Sequence, residues 1–363
     1  MNILFVSALE GGKYSGPLYS VPKQIESQAE YDNIYWVNLT DIPTADRFDQ
    51  KIYHYCSLRD FNISKLPAPF NRPEIIVFEE FFKVECCLVA RQAEKLKIPY
   101  VVIPRCQMTE KYLENKKIKK IIASILLFSH FAKKATAVQF LSEQEKQDSL
   151  KYYKGPNFIA PNGITLPAEI KAIDNKEKTV GVFIGRYSIW QKGLDLLVEA
   201  IALKKQVLKS ANIVFELYGP NERTGAGSEI EQLVNKFAVE DIVRVNGPVF
   251  DNDKKNVLLG ADFFVHTSRF EGMPMSVLEA LSYGVPCFVT QGSNLRESVD
   301  EYDAGWGVDD SVESIAAGLD VLISEKLMIK KKSKNALLLA EKYSWNNIAR
   351  ESHEYLAKIT NKR

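Results

Sequence analysis

Short apolar runs alternate with helix-patterned segments along almost the whole chain, and no other feature constrains the fold as strongly. The runs are Ile3–Ser7, Ile34–Asn38, Ile75–Phe78, Tyr100–Ile103, Ala137–Leu141 and Phe158–Ala160. After a break come Val180–Ile184, Ile213–Tyr218, Ile242–Val245, Phe263–His266, Pro286–Thr290 and Gly307–Val308. Most are continuously apolar rather than alternating, the pattern of parallel strands covered on both faces. Between them, periodic spacing predicts helices over Val21–Ala29, Val84–Leu96, Gly193–Leu208, Glu229–Phe237 and Val277–Tyr283. Repeated strand-helix alternation predicts doubly wound α/β sheets.

The break falls at Pro161-Asn162-Gly163 and continues into the polar stretch Lys171–Lys178, turn chemistry followed by a charged connector. It divides the 363 residues into two α/β halves, as the length also predicts. The first 160 residues carry 22 basic and 18 acidic side chains, and the remainder 25 and 28. A net charge of +1 gives no electrostatic footprint for nucleic acid. The start Met-Asn-Ile-Leu-Phe-Val-Ser lacks a basic segment and a cleavage site, and predicts a first strand, not a signal peptide. Five cysteines without a C-x-x-C pair and four scattered histidines predict a cytosolic protein with no disulfide framework and no resident metal. Ligands of open α/β sheets bind beyond the carboxyl ends of the strands, so a cleft faced by both halves is the expected site.

The most informative stretch is Phe263–Val289. A buried strand ends near His266, a loop carries Glu271 and Gly272, and a helix starts around Pro274–Ser276 and stops at Gly284-Val-Pro286. The unpaired N–H groups of such a helix start favour an anion or a hydroxyl-rich ligand. Glu271 and Glu279 could both accept hydrogen bonds from one ligand there. Read alone, they are equally a solvated loop carboxylate and a helix-dipole partner.

Glu271-Gly-Met-Pro-Met-Ser-Val-Leu-Glu279-Ala, followed by Ser-Tyr-Gly284-Val-Pro286, resembles the E-x7-E signature of retaining glycosyltransferase family 4. Gly185-Arg186 with Lys192-Gly193, Leu217-Tyr-Gly219-Pro, Pro161-Asn-Gly163, Ser15-Gly16-Pro17 and Tyr343-Ser-Trp345 resemble further family segments in the same order. The resemblance implies the GT-B architecture, two Rossmann-like domains facing a central cleft. Residues 1–162 would form an acceptor-binding domain with a returning helix at 345–363, and 163–344 a donor-binding domain. It implies transfer, with retention, from a nucleotide-diphosphate sugar. Glu271 and the backbone of Gly272, Met273, Pro274, Met275 and Ser276 would hold the donor sugar and phosphate. Glu279 would hold the ribose, with Gly219, Val249 and Phe250 near the nucleotide and Gly16 approaching the phosphates. Arg186 and Lys192 would neutralise the leaving diphosphate.

The residues agree with this on their own terms. Arg186 follows a strand directly and Lys192 precedes a helix start, so one strand-to-helix loop carries both. A glycosyl phosphate bond leaves negative charge on the diphosphate, which fixed cations stabilise without a metal. The first half departs from the family pattern. No histidine takes a catalytic position; His266 reads as structural. Arg105, after Tyr100–Ile103, and Glu79, after Ile75–Phe78, are the candidate acceptor-binding residues.

Lys111–Lys134 holds seven lysines and one glutamate around an apolar stretch. It reads either as a basic amphipathic helix on an anionic membrane or as a packed helix with a solvated lysine face. The resemblance therefore implies a metal-independent glycosyltransferase without a cofactor beyond its nucleotide-sugar donor. Its acceptor would be a saccharide or lipid-linked saccharide of surface polysaccharide (capsule, O-antigen or exopolysaccharide) or glycolipid synthesis. It would sit in the cytoplasm or on the cytoplasmic membrane face. A non-catalytic sugar-binding protein, or a phosphorylase or epimerase of the same architecture, is the alternative.

Overall fold

The structure, a computed structural model, describes residues 1–9, 16–40, 51–109, 121–172, 177–220 and 226–361; residues 121–126 and 226–228 are described by backbone alone. The chain divides into two compact units, Met1–Gly163 with Trp345–Arg363, and Ile164–Ser344.

The first unit contains β1 (Asn2–Ser7), α1 (Gly16–Gln28), β2 (Asn33–Leu39), β3 (Tyr53–Cys56), β4 (Ile75–Glu79), α2 (Val84–Leu96) and β5 (Tyr100–Ile103). It continues with α3 (Ile121–Lys134), β6 (Ala137–Phe140), α4 (Glu143–Ser149) and β7 (Asn157–Ile159). The strands form one parallel sheet in the order β3-β2-β1-β4-β5-β6-β7. Its central strands are buried almost residue for residue, which is why they read as unbroken apolar runs. β3 escapes the sequence reading because Tyr-His-Tyr-Cys at a sheet edge is only partly buried.

The second unit contains β8 (Thr179–Ile184), α5 (Ile189–Lys192), α6 (Leu194–Leu203), α7 (Lys205–Ser210), β9 (Ile213–Tyr218), α8 (Ala226–Lys236) and β10 (Val243–Asn246). Then follow α9 (Asp251–Gly260), β11 (Phe263–His266), α10 (Met275–Ser282), β12 (Cys287–Thr290), α11 (Arg296–Glu301), β13 (Gly305–Val308), α12 (Val312–Ser324) and α13 (Ile329–Lys342). Its parallel sheet has the order β10-β9-β8-β11-β12-β13. The helix expected over Gly193–Leu208 is broken: Gly193, in the left-handed region at φ 59°, closes α5, and Lys204 interrupts the rest.

The last helix, α14 (Trp345–Asn361), returns to the first unit and packs on α1. His353 Nδ1 contacts both oxygens of Asp32 at 3.0 Å, and Tyr31 donates to Asn346 at 2.5 Å.

Of the lysines proposed to meet a membrane, Lys116, Lys117, Lys119 and Lys120 lie outside the described residues, while Lys133 and Lys134 stand exposed at the end of α3. Among the described residues, no helix is long and apolar enough to cross a membrane.

Candidate active site

Sheet order places the site in the second unit. The strand order reverses between β8 and β11, and a doubly wound sheet opens a crevice beyond the strand ends at that switch point. The loop after β8 carries Arg186 and leads to Lys192; the loop after β11 carries Glu271. Lys192 Nζ forms an ion pair with Glu271 Oε1 that joins the two loops.

Backbone detail fixes this pair. A Cβ on Gly193 would stand 2.0 Å from the carbonyl oxygen of Thr267, so only glycine allows the end of α5 to meet the end of β11. Thr267 then donates from Oγ1 to the carbonyls of Lys192 and Gly193, both at 3.1 Å. On the other side, Ser268 Oγ donates to Glu271 Oε1 at 3.0 Å and lies 3.0 Å from His266 Nε2. Since Ser268 spends its one proton on Glu271, the His266 contact assigns the ring proton to Nε2. His266 is fully buried, and its Nδ1 has no hydrogen-bond partner. Burial lowers its pKa, with the neighbouring Glu271 carboxylate opposing and Lys192 adding to the effect. Burial also works against ionisation of Glu271, but Lys192, helped by His266, holds its carboxyl well below the usual 4.5. The pair is therefore a carboxylate and an ammonium, supported from behind by a neutral imidazole.

Beyond Glu271, Asn294 sits at φ 58° and its Nδ2 donates to the carbonyls of Glu271 and Gly272, shaping the turn into α10. Pro274 precedes α10, and no side chain caps the helix. Gly272, Met275 and Ser276 are half-buried there, whereas Met273 and Pro274 are buried. Glu279, in the second turn of α10, pairs with Lys254 of α9. Arg186 is half-buried in the β8 loop.

Gly219 follows β9, and a Cβ there would stand 1.9 Å from the Gly185 carbonyl oxygen. That close approach brings the ends of β8 and β9 together. Tyr187 Oη completes the corner, reaching the carbonyls of Leu217 and Asn246 at 2.6 Å. Val249 and Phe250 lie between β10 and α9, and Phe250 is exposed.

In the first unit the candidate residues stand differently. Gly16 is exposed at the first residue of α1. Glu79 and Arg105 are turned inward: Arg105 Nε donates to Glu79 Oε2 at 2.8 Å, and their side chains are 5% and 0% exposed for Arg105 and Glu79 respectively. Arg105 also donates to Ser20, Asn162 and Gln24 at 2.8–3.1 Å. Both candidate acceptor-binding side chains are thus paired with each other inside the first unit. The backbone is unusual here, with positive φ at Glu80, Arg105 and Cys106. The supporting residues Ser268, Asn294, Tyr187 and Lys254 carried no signal in the sequence, since each acts through a partner distant along the chain.

Residues 168–338, the bulk of the second unit, match the profile of the family Glycosyl transferases group 1. An uncharacterized glycosyltransferase of Methanocaldococcus jannaschii is 28% identical over 50% of this chain and 45% of its own length. A putative colanic acid biosynthesis glycosyltransferase of Salmonella typhimurium is 28% identical over 36% of this chain and 32% of its own. The chain thus spans less than half the length of these curated relatives. Sucrose-phosphate synthase from Thermosynechococcus elongatus superposes with a TM-score of 0.77 over 100% of both chains at 15% identity. Anabaena HepE in complex with UDP and glucose gives 0.74 over 99% of this chain and 100% of its own at 16% identity. The fold is GT-B, and the likeness to Glycosyl transferases group 1 lies within residues 168–338.

Proposed function

We propose that this protein is a retaining glycosyltransferase that moves a hexosyl group from a nucleotide-diphosphate sugar to a saccharide or lipid-linked saccharide. The observation that carries the reading is the Lys192–Glu271 pair at the switch point of the second sheet, next to the uncapped start of α10. Lys192 and Arg186 supply positive charge where the bond between the anomeric carbon and the phosphate oxygen breaks and its electron pair passes to the diphosphate. Glu271, held ionised by Lys192, accepts hydrogen bonds from sugar hydroxyls. The N–H groups at the start of α10 receive phosphate or hydroxyl oxygens. Glu279 takes the ribose hydroxyls, exchanging its contact with Lys254 for them. Retention, and the E-x7-E assignment itself, rest on the sequence resemblance.

The two cations take the charge-neutralising role without a divalent metal. Surface polysaccharide or glycolipid synthesis on the cytoplasmic face of a membrane is the setting we assign, in line with the relative named for colanic acid. The test is a thermal-shift panel of UDP-, GDP- and ADP-sugars followed by measurement of nucleoside diphosphate release. A donor at 100 times its dissociation constant stabilises by about 2.7 kcal/mol. Stabilisation without any release on adding saccharides would leave a sugar-nucleotide binder instead of an enzyme.

A further inference from the structure

Of the four tryptophans, Trp36, Trp306 and Trp345 are 0–6% exposed, whereas Trp190 is 51% exposed. It projects from α5, two residues before Lys192. An exposed indole is ordinarily mobile, but this one is braced. Arg269 Nη1 donates to the Trp190 carbonyl at 2.6 Å, and its guanidinium carbon lies 5.7 Å from the indole centre. The ring of Phe270, the residue before Glu271, packs at 5.7 Å and 56°. Asp195 grips Arg269 through two bonds of 2.7 Å, and the Arg269 N–H donates to the Gln191 carbonyl at 2.9 Å. The result is a rigid aromatic platform whose nearest cation already has its counter-ion.

We propose that Trp190 and Phe270 form a subsite for a neutral pyranose ring of the saccharide acceptor. This rests on the transferase reading above and names the part of the site that recognises the acceptor. A pyranose presents an apolar C–H face rimmed by hydroxyls, which matches the uncharged face of the exposed indole with the Phe270 ring canted beside it. Rigidity favours binding because little freedom is lost when the ligand arrives. The donor diphosphate is a poor occupant. Residues two apart on a helical turn do not share a face, so Trp190 and Lys192, the cation proposed to meet the phosphates, leave α5 on different sides.

Acrylamide quenching of tryptophan fluorescence tests this, because the other three indoles are buried. The wild type is titrated with glucose, galactose, mannose, N-acetylglucosamine, maltose and lactose, and separately with UDP, GDP and ADP. The expected result is that at least one sugar shields the quenchable fraction and no nucleotide does. Trp190→Ala abolishes that fraction and weakens binding of the same sugar about tenfold by calorimetry, and Trp190→Phe restores most of the affinity. Circular dichroism confirms that both variants fold. No shielding by any sugar, shielding by a nucleotide, or unchanged sugar affinity in Trp190→Ala would each overturn the proposal. Nucleoside diphosphate release from the wild type is scored separately. Release without shielding removes the subsite and keeps the transferase; shielding without release does the reverse.

Discussion

Arg105 and Glu79 meet at 2.8 Å inside the first unit, and the contact is lopsided: Oε2 of the carboxylate takes the guanidinium, while Oε1 is buried with no hydrogen-bond partner. Burial raises the Glu79 pKa, and Arg105 opposes the rise. Arg105→Leu is therefore expected to cost about 3–5 kcal/mol in chemical denaturation, because it strands a buried carboxylate. Adding Glu79→Leu recovers much of that loss. A double variant no more stable than Arg105→Leu would show that packing, not charge, dominates.

Glu145 gives the first unit a dependence on pH. It is fully buried, accepts the Leu141 N–H at 2.7 Å and also that of Cys106, and burial pushes its pKa from 4.5 up to about 7 against those bonds. A carboxyl with a raised pKa binds more protons folded than unfolded, so its contribution is complete below about 4.5 and lost as pH rises through about 7. Thermal melts of the wild type against Glu145→Gln should show the wild type losing ground across that window. Parallel profiles would place the carboxyl's pKa nearer its ordinary value.

Lys192→Met removes both the cation proposed to meet the leaving diphosphate and the partner of Glu271. Turnover should fall about 10²–10³-fold. Stability should fall by about 3 kcal/mol near neutrality. Because Lys192 keeps the Glu271 pKa low, the wild type's contribution from this pair is present above about 4.5 and lost as pH falls further. The gap between the two melting curves should accordingly narrow in acid. A constant gap would mean that Glu271 does not titrate with the pair.

Gly193→Ala should lower both stability and turnover, since a Cβ at φ 59° meets the Thr267 carbonyl. The backbone strain alone is about 1–3 kcal/mol. Gly260→Ala, where a Cβ meets nothing within 4 Å, serves as the control. Equal behaviour of the two variants would separate the Gly193 turn from the placement of Lys192.

Chelation is expected to leave turnover intact. Among the described residues no three His, Cys, Asp or Glu side chains gather as metal ligands, and the proposed function assigns the charge to Arg186 and Lys192. Loss of activity in EDTA, regained with magnesium or manganese, would refute this.

Much of the architecture was readable because buried parallel strands such as Val180–Ile184 and Phe263–His266 are apolar on both faces. Edge strand β3 was not, since half-buried residues carry no continuous signal. Lys192 and Glu271 each stood out beside a strand end, yet their pairing depends on β8 and β11 being neighbours, which is a matter of sheet order. The inward turn of Arg105 was illegible for the same reason: Ser20, Gln24 and Asn162 come from three separate segments. Trp190 had no sequence mark at all, because exposure is decided by what fails to pack against a side chain.

The returning helix α14 has a consequence for how the protein is made. Gly163 and Trp345 lie so close that a Cβ on the glycine would fall 2.8 Å from the Trp345 Cα. Within the second unit, the Ile164 N–H donates to the Tyr343 carbonyl at 2.7 Å. For the first unit, the whole second unit is thus a single insertion whose ends meet. A nascent chain emerges from its N-terminus, and domains generally fold as units during synthesis. The inserted unit has all its residues once Ser344 has emerged, whereas the unit that began first still waits for the helix that covers α1. Ribosomes therefore release the earlier domain last, and truncation within 345–363 should harm the N-terminal unit while sparing the one translated just before it.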